Sequence, residues 1–267
     1  MSNRSRRVLE LKTELRLKGL KILKIGGAVI TDKSPGVFDR AKMDTIERIA
    51  KEVATNPSGL ILIHGVGSFG HPYVEKYGLK NGRWNVKGVA ETHLACEKLC
   101  CMVCSALAKE GLNPAPIHPF TSFRIGNRLE FDANFIAELV DDGFVPVLHG
   151  DMVRSFDGYA VLSGDRIAAE LAKTFGAEKL GFASDTAIVV DGRIVEEVNN
   201  DNVSLVLKKL EKETGKSDVT GGMRGKVLSV LEVARQSEVF IFSGLEPGNV
   251  AKFLVGEKVG TKIRLWK

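Results

Sequence analysis

Short apolar runs alternate with amphipathic stretches along almost the whole chain. Leu60 to Ile63 is an unbroken apolar run, long enough for a strand covered on both faces. Further strands are expected at residues 20–25, 115–118, 144–148, 159–162, 178–183, 239–242 and 262–265. Between them fall segments of helical period, at 39–54, 69–77, 89–110, 132–142, 165–175, 202–214, 221–235 and 249–254. In the first of these, Ile46, Ile49, Ala50 and Val53 form one apolar stripe. Asp132 and Ser163 stand where helix caps are wanted, and Gly111 where a helix should stop. Two hairpins are expected, one over 123–131 turning at Gly126-Asn127, the other over 186–195 across Asp191-Gly192, a type I′ signal. Strands alternating with helices predict an α/β fold, a largely parallel sheet with helices on both faces. No repeat or linker divides it; a soft division falls near residue 175.

Glycine clusters follow two of these strands. His64, Gly65, Val66 and Gly67 come directly after the 60–63 run, with Ser68 placed to cap the next helix and His71 in its first turn. A strand feeding a Gly-rich turn into a helix N-terminus gathers backbone N–H groups and positive potential, which suits an anion. The same pattern also fits a plain strand–helix turn. Gly26-Gly27 ends the first strand and opens a loop through Asp32 to Gly36. Lys24 sits just before it, at the carboxyl edge where open α/β sheets bind ligands. Lys33, on that loop, reads alone as a solvated lysine. Asp165 either complements a helix dipole or orients nearby lysines. Residues 218–226, Asp-Val-Thr-Gly-Gly-Met-Arg-Gly-Lys, form a second Gly-rich helix start with Lys226 one turn inside. Two such sites suggest a ligand with several phosphates, or two phosphorylated ligands facing each other. No Walker-type run, kinase His-Arg-Asp loop, dinucleotide fingerprint or serine elbow occurs.

Charge and cysteines narrow the picture further. The formal net charge is +5, of which residues 1–19 carry +4 through Arg4, Arg6, Arg7, Lys12, Arg16 and Lys18 against Glu10 and Glu14. The basic balance therefore belongs mostly to an N-terminal extension, and it is weak support for nucleic-acid binding. No apolar run approaches the roughly 18 residues of a membrane span, and no secretory segment follows the start, so a cytoplasmic location is expected. Cys96, Cys100 and Cys104 share one helical face beside Cys101. One helix cannot wrap four ligands around zinc, and no histidine pair has metal spacing, so packed thiols in a reducing compartment are expected and a metal site is not.

Taken together, these segments resemble the amino acid kinase superfamily. The resemblance rests on residues 24–33 (Lys-Ile-Gly-Gly-Ala-Val-Ile-Thr-Asp-Lys), 64–71 (His-Gly-Val-Gly-Ser-Phe-Gly-His), 147–151 (Val-Leu-His-Gly-Asp), Ser163-Gly164-Asp165 and 218–226, in that order. It runs from about residue 20 to the end. The 64–71 segment is similar to the acceptor loop of isopentenyl phosphate kinases, which His71 separates from the superfamily's carbamate, glutamate, aspartate and uridylate kinases. The resemblance implies an open αβα sandwich at 20–267 with an acceptor lobe about 20–175 and a nucleotide lobe about 176–267. It also implies a homodimer that uses ATP and Mg²⁺ to phosphorylate isopentenyl phosphate, a small phosphate with an apolar tail, with neither nucleic acid nor membrane as partner.

Carried over to this chain, Lys24 and Lys226 would contact the transferring phosphoryl group, Lys33 would neutralise the polyphosphate and Asp165 would orient lysines. Val66, Gly164 and His71 would hold the acceptor phosphate. Gly26, Gly27, Ala28, Gly67 and Gly222 would lie against the nucleotide, and Asp185 near the nucleoside. Mg²⁺ would be held mainly by phosphates rather than by a protein metal site. Two departures stand out. Position 66 is valine where glycine or alanine is usual, so this residue must be β- or α-like. The segment Ser184-Asp185-Thr186-Ala187-Ile188 replaces the usual Thr-Asp-Val-Asp-Gly and puts the role of Asp185 in question. A kinase of the same fold for another small acceptor such as a phosphonate, and a non-catalytic nucleotide sensor, are the alternative readings.

Overall fold

The computed structural model describes residues 17–79, 85–213 and 222–266. Its strands, in chain order, are β1 (Lys21–Ile25), β2 (Leu60–His64), β3 (Pro114–Pro116), β4 (Phe123–Ile125), β5 (Leu129–Phe131), β6 (Val145–His149), β7 (Asp151–Ser155), β8 (Gly158–Leu162), β9 (Lys179–Ser184), β10 (Val189–Val190), β11 (Arg193–Ile194), β12 (Glu197–Val198), β13 (Glu238–Ser243) and β14 (Thr261–Ile263). The helices are α1 (Gly27–Ile30), α2 (Met43–Val53), α3 (His71–Lys76), α4 (Val86–Lys109), α5 (Pro119–Ser122), α6 (Ala133–Asp141), α7 (Gly164–Phe175), α8 (Val203–Glu213), α9 (Gly222–Val230) and α10 (Asn249–Val255).

The main sheet has the order β12-β14-β13-β9-β1-β2-β6-β3. Strands β13 through β3 are mutually parallel, β14 runs antiparallel to β13, and β12 pairs parallel to β14. Every residue of β1, β2 and β6 is buried. That is why these strands read as runs rather than alternations: both faces are covered. On one face Ile22, Ile61, Ile63 and Phe182 pack against Ile167, Leu171 and Phe175 of α7 and Val227 and Val230 of α9. On the other, Leu23, Ile25 and Leu62 pack against Ile46, Ile49 and Val53 of α2 and Leu99, Val103 and Leu107 of α4. The expected open αβα sandwich is therefore present. A smaller sheet, β5-β4-β7-β8, flanks it.

Several boundaries differ from the sequence reading. The Gly26-Gly27 loop contains one helical turn, α1. Helix α2 starts at Met43 rather than residue 39, because Asp39 takes φ +49° and a Thr31–Ala41 bridge keeps the preceding chain extended. Helix α4 begins at Val86, where the Asn85 side chain accepts the Gly88 N–H. Ser68 caps nothing: it is buried, its N–H donates to Thr31 Oγ1 at 3.1 Å and its Oγ accepts the Arg40 N–H at 3.3 Å. Residues 67–69 form a 3₁₀ turn, and Gly70 precedes α3. Strand β3 covers Pro114–Pro116, an edge position that tolerates proline. Strands β7 and β12 were not expected, and helix α9 ends at Val230, before a separate 3₁₀ turn over Val233–Arg235.

The Asp191-Gly192 turn has φ of +52° and +75°, as a type I′ hairpin requires. Asp132 and Ser163 cap α6 and α7 as expected. Residues 1–16 of the extension, residues 80–84 and residues 214–221, which include the start of the second Gly-rich segment, lie outside the described residues; Leu17 packs against the core. Among the described residues no helix is long and apolar enough to cross a membrane.

Candidate active site

Lys24 is the fourth residue of β1, buried, on the face covered by α7. Asp165 is the second residue of α7, whose N-terminus Ser163 caps by accepting the Arg166 N–H. The two meet with Lys24 Nζ 2.5 Å from Asp165 Oδ1. From α9, one turn beyond Gly222, Lys226 brings its Nζ 2.8 Å from Asp165 Oδ2 and over the Phe182 ring. One carboxylate thus holds two ammonium groups side by side at a helix N-terminus. Burial lowers the Lys24 pKa, and Lys226 and Lys33 add to this, while Asp165 works against it. Burial pushes the Asp165 carboxyl up, but Lys24 and Lys226 override it and hold the group well below the usual carboxylate range. The trio is one anion between two cations, with net positive charge facing the sheet edge.

Above it, the loops after β1 and β2 touch backbone to backbone. A methyl group on Gly27 would meet the Gly67 nitrogen at 2.5 Å, and one on Gly65 would meet the Gly27 nitrogen at 2.5 Å. Gly67 takes φ +47°, and a methyl there would meet Thr31 Oγ1 at 1.8 Å. Thr31 Oγ1 donates to the Gly27 carbonyl at 2.7 Å and accepts the Ser68 N–H, tying the loops together. Gly27→Ala is therefore expected to force them apart. Overpacking of this kind typically costs about 1–3 kcal/mol, and a chain of this size loses about 2–4 °C per kcal/mol. Gly26→Ala should cost much less, since Gly26 has φ −63° and its added methyl would meet nothing nearer than 3.2 Å. Melting curves of the two variants check this, and equal losses would contradict the contact.

The remaining predicted residues distribute as follows. Val66 is α-like at φ −98°, ψ −18°, and the adjacent Gly67 carries the positive φ, so the valine is accommodated without strain. Gly164 adjoins both loop and trio, its added methyl falling 3.2 Å from the His64 carbonyl and 3.5 Å from Lys24 Cε. His71 opens α3 and is exposed. The Ala28 carbonyl accepts from Lys42 Nζ, and Lys33 is an exposed loop residue. Gly222 begins α9 at φ +50°. Asp185 lies just past β9 at the same edge, exposed, its backbone carbonyl accepting from Ser243 Oγ.

Behind the 64–71 loop lies a histidine network to which the sequence pattern assigns no role. His64 and His149, paired across β2 and β6, are buried and stacked with centroids 5.5 Å apart; burial lowers each pKa to about 4. His118 Nδ1 lies 3.1 Å from His149 Nε2, and His93 Nδ1 lies 2.8 Å from Asp151 Oδ2. Four of the chain's five histidines converge here from separate segments, so no local spacing reveals them.

Residues 19–243 match the family described as the amino acid kinase family. The chain belongs to the amino acid kinase family. Among relatives of this amino acid kinase, an isopentenyl phosphate kinase from Methanocaldococcus jannaschii is 32% identical over 262 residues, covering 91% of this chain and 98% of the relative. A solved structure of isopentenyl phosphate kinase is 30% identical with a TM-score of 0.76, covering 91% of this chain and 99% of that one. The product complex of the Thermoplasma acidophilum isopentenyl phosphate kinase is 26% identical with a TM-score of 0.70, covering 92% and 100%.

Proposed function

We propose that this amino acid kinase transfers the γ-phosphoryl group of ATP to isopentenyl phosphate, giving isopentenyl diphosphate and ADP. The observation that carries the reading is the Lys24–Asp165–Lys226 trio beneath two glycine loops, with His71 opening the helix beside one of them. The phosphate oxygen of the acceptor forms the new bond to the γ-phosphorus as the bridging oxygen of ADP departs. The second pKa of a phosphate monoester is about 6, so that oxygen is already ionised near neutral pH and no general base is needed. What the site must overcome is repulsion between two anions. Lys24 and Lys226 neutralise the transferring group, with Lys33 on the outer phosphates, and Asp165 keeps both lysines in place. Backbone N–H groups at Val66 and Gly164 and the His71 imidazole hold the acceptor phosphate. Gly26, Gly27, Ala28, Gly67 and Gly222 lie against the nucleotide, with Asp185 toward the nucleoside.

When bound, Mg²⁺ would supply positive charge that offsets that of the phosphates. Both Asp165 oxygens already face ammonium groups, so the phosphates rather than this carboxylate would hold the ion. His71 and Val74 share one face of α3. Val74 packs with Leu79, Val89 and Met152, and this buried apolar cluster backs the side of α3 on which the acceptor's tail would lie. We further propose a homodimer acting in the cytoplasm.

The deciding experiment measures ADP formation with isopentenyl phosphate beside a panel of other small phosphates, phosphonates and amino acids. Fastest turnover with isopentenyl phosphate is expected. A phosphonate or amino acid used better would replace the assigned acceptor, and no turnover with any would favour a nucleotide sensor.

A further inference from the structure

The histidine network contains side chains that the transfer does not use. His149 ends β6, His118 immediately precedes α5, and Cys100 lies in the middle of α4. One donor atom from each falls within 4.8 Å of the other two. The geometry points to a binding site for a thiophilic d¹⁰ cation, with Zn²⁺ as its type, held by Cys100 Sγ and imidazole nitrogens of His118 and His149.

The donor set supports this. Two imidazoles and a thiolate suit zinc or cuprous copper, whereas Mg²⁺ takes oxygen ligands. Orientation supports it too. The His149 Nδ1 lies 2.9 Å from the Gly150 carbonyl, a contact that only an N–H can make, so the lone pair is on Nε2 and faces His118. Metal-binding histidines are held this way, by donating the other ring N–H to a carbonyl or carboxylate. The 3.1 Å between His118 Nδ1 and His149 Nε2 is close to the ligand–ligand edge of a tetrahedral site with Zn–N bonds of about 2.0–2.1 Å. In the metal-free chain a hydrogen bond spans that edge; on binding, the His118 proton moves to Nε2 and the Cys100 thiol proton leaves to solvent.

Two of the three ligands sit on a helix and a strand, which fixes them. Cys100 and His149 are buried, while His118 is partly exposed and gives the ion a way in. Cys104 Sγ lies 4.0 Å from Cys100 Sγ, so a second thiolate is within reach of the remaining position. A site of this kind ties α4, β6 and the β3–α5 connection together on the acceptor side. Neither the cysteines of one helix nor histidine pairs of local spacing reveal this site in the sequence. The set found here takes one ligand from each of three segments.

Titration of the full chain with Co²⁺ provides the test. One equivalent should produce thiolate-to-cobalt charge-transfer absorption, removed by Zn²⁺ and unaffected by excess Mg²⁺. Cobalt bound at nucleotide phosphates lacks that band, so the signal is independent of kinase activity. Zn²⁺ well above its Kd should raise Tm by several degrees. Cys100→Ser should abolish the band, and His118→Gln, at a partly exposed position, should weaken binding at least about tenfold. Cys101→Ser, which removes an exposed thiol, should change neither. Absence of the band in the folded wild-type chain overturns the site, as does a band that survives Cys100→Ser or is lost in Cys101→Ser.

Discussion

Lys226→Ala is expected to lower turnover about 10²–10³-fold while the acceptor KM stays near that of the parent chain, since losing one preorganised donor to developing charge typically costs that much. Lys226 holds one oxygen of Asp165 and Lys24 the other, so neither ammonium group depends on substrate for its position. In the proposed reaction the charge each meets is concentrated on the phosphoryl group in transit, and its loss therefore falls on kcat. Lys24→Ala should behave alike, with a larger loss of Tm because Lys24 is buried in the central strand. Initial rates at saturating ATP and acceptor, read beside melting curves, check both. Near-normal turnover in either variant would remove that lysine from the transfer site.

The second large effect belongs to His71. Its imidazole, at the start of α3 next to the loop at 65–67, donates to a phosphate oxygen in the proposed complex. A hydrogen bond to a charged group is worth roughly 1.5–3 kcal/mol, so His71→Ala should cut kcat/KM for isopentenyl phosphate about ten- to 150-fold. The KM for ATP should stay close to that of the parent chain. His71→Gln keeps a donor of similar reach and should recover part of the loss; His71→Asn, being shorter, should recover less. If the side chain only packs on its helix, all three variants shift Tm and leave the acceptor KM unchanged. A normal KM for isopentenyl phosphate in His71→Ala would withdraw the acceptor assignment.

The sequence was most legible where the chain is most buried. Strands β1, β2 and β6 read as apolar runs because neither face meets water. Strand β7 was not legible: in Asp-Met-Val-Arg-Ser the two charges lie three residues apart, out of step with a two-residue alternation, and only Gly150 separates it from β6. Helix α1 is a single turn, too short to show a period, and its Gly-Gly start reads as a stop. Ser68 has a cap's chemistry but spends its hydrogen bonds on Thr31 and Arg40, partners brought in by tertiary packing. At the site, Lys24, Asp165 and Lys226 each stood out from local pattern, but only family order brought them together, since nothing local says that residues so far apart share one carboxylate. The conformation at Val66 followed from sterics alone, because a β-branched residue cannot take the positive φ that Gly67 adopts. The Cys100–His118–His149 cluster was out of reach for the opposite reason, being made wholly by topology.

The glycine contact between the first two loops also limits how this lineage can diversify. A side chain at Gly27, Gly65 or Gly67 has to push the loops apart, so their separation is held by the absence of side chains there. A methyl on Gly70 would meet Val66 Cγ2 at 2.3 Å, so a side chain at 70 calls for a smaller residue at 66. Mutational drift toward a new acceptor is thereby channelled into a few side chains. A library randomised at 66, 70 and 71 should yield descendants with altered acceptor choice, while one randomised at 27, 65 and 67 should return almost only glycine.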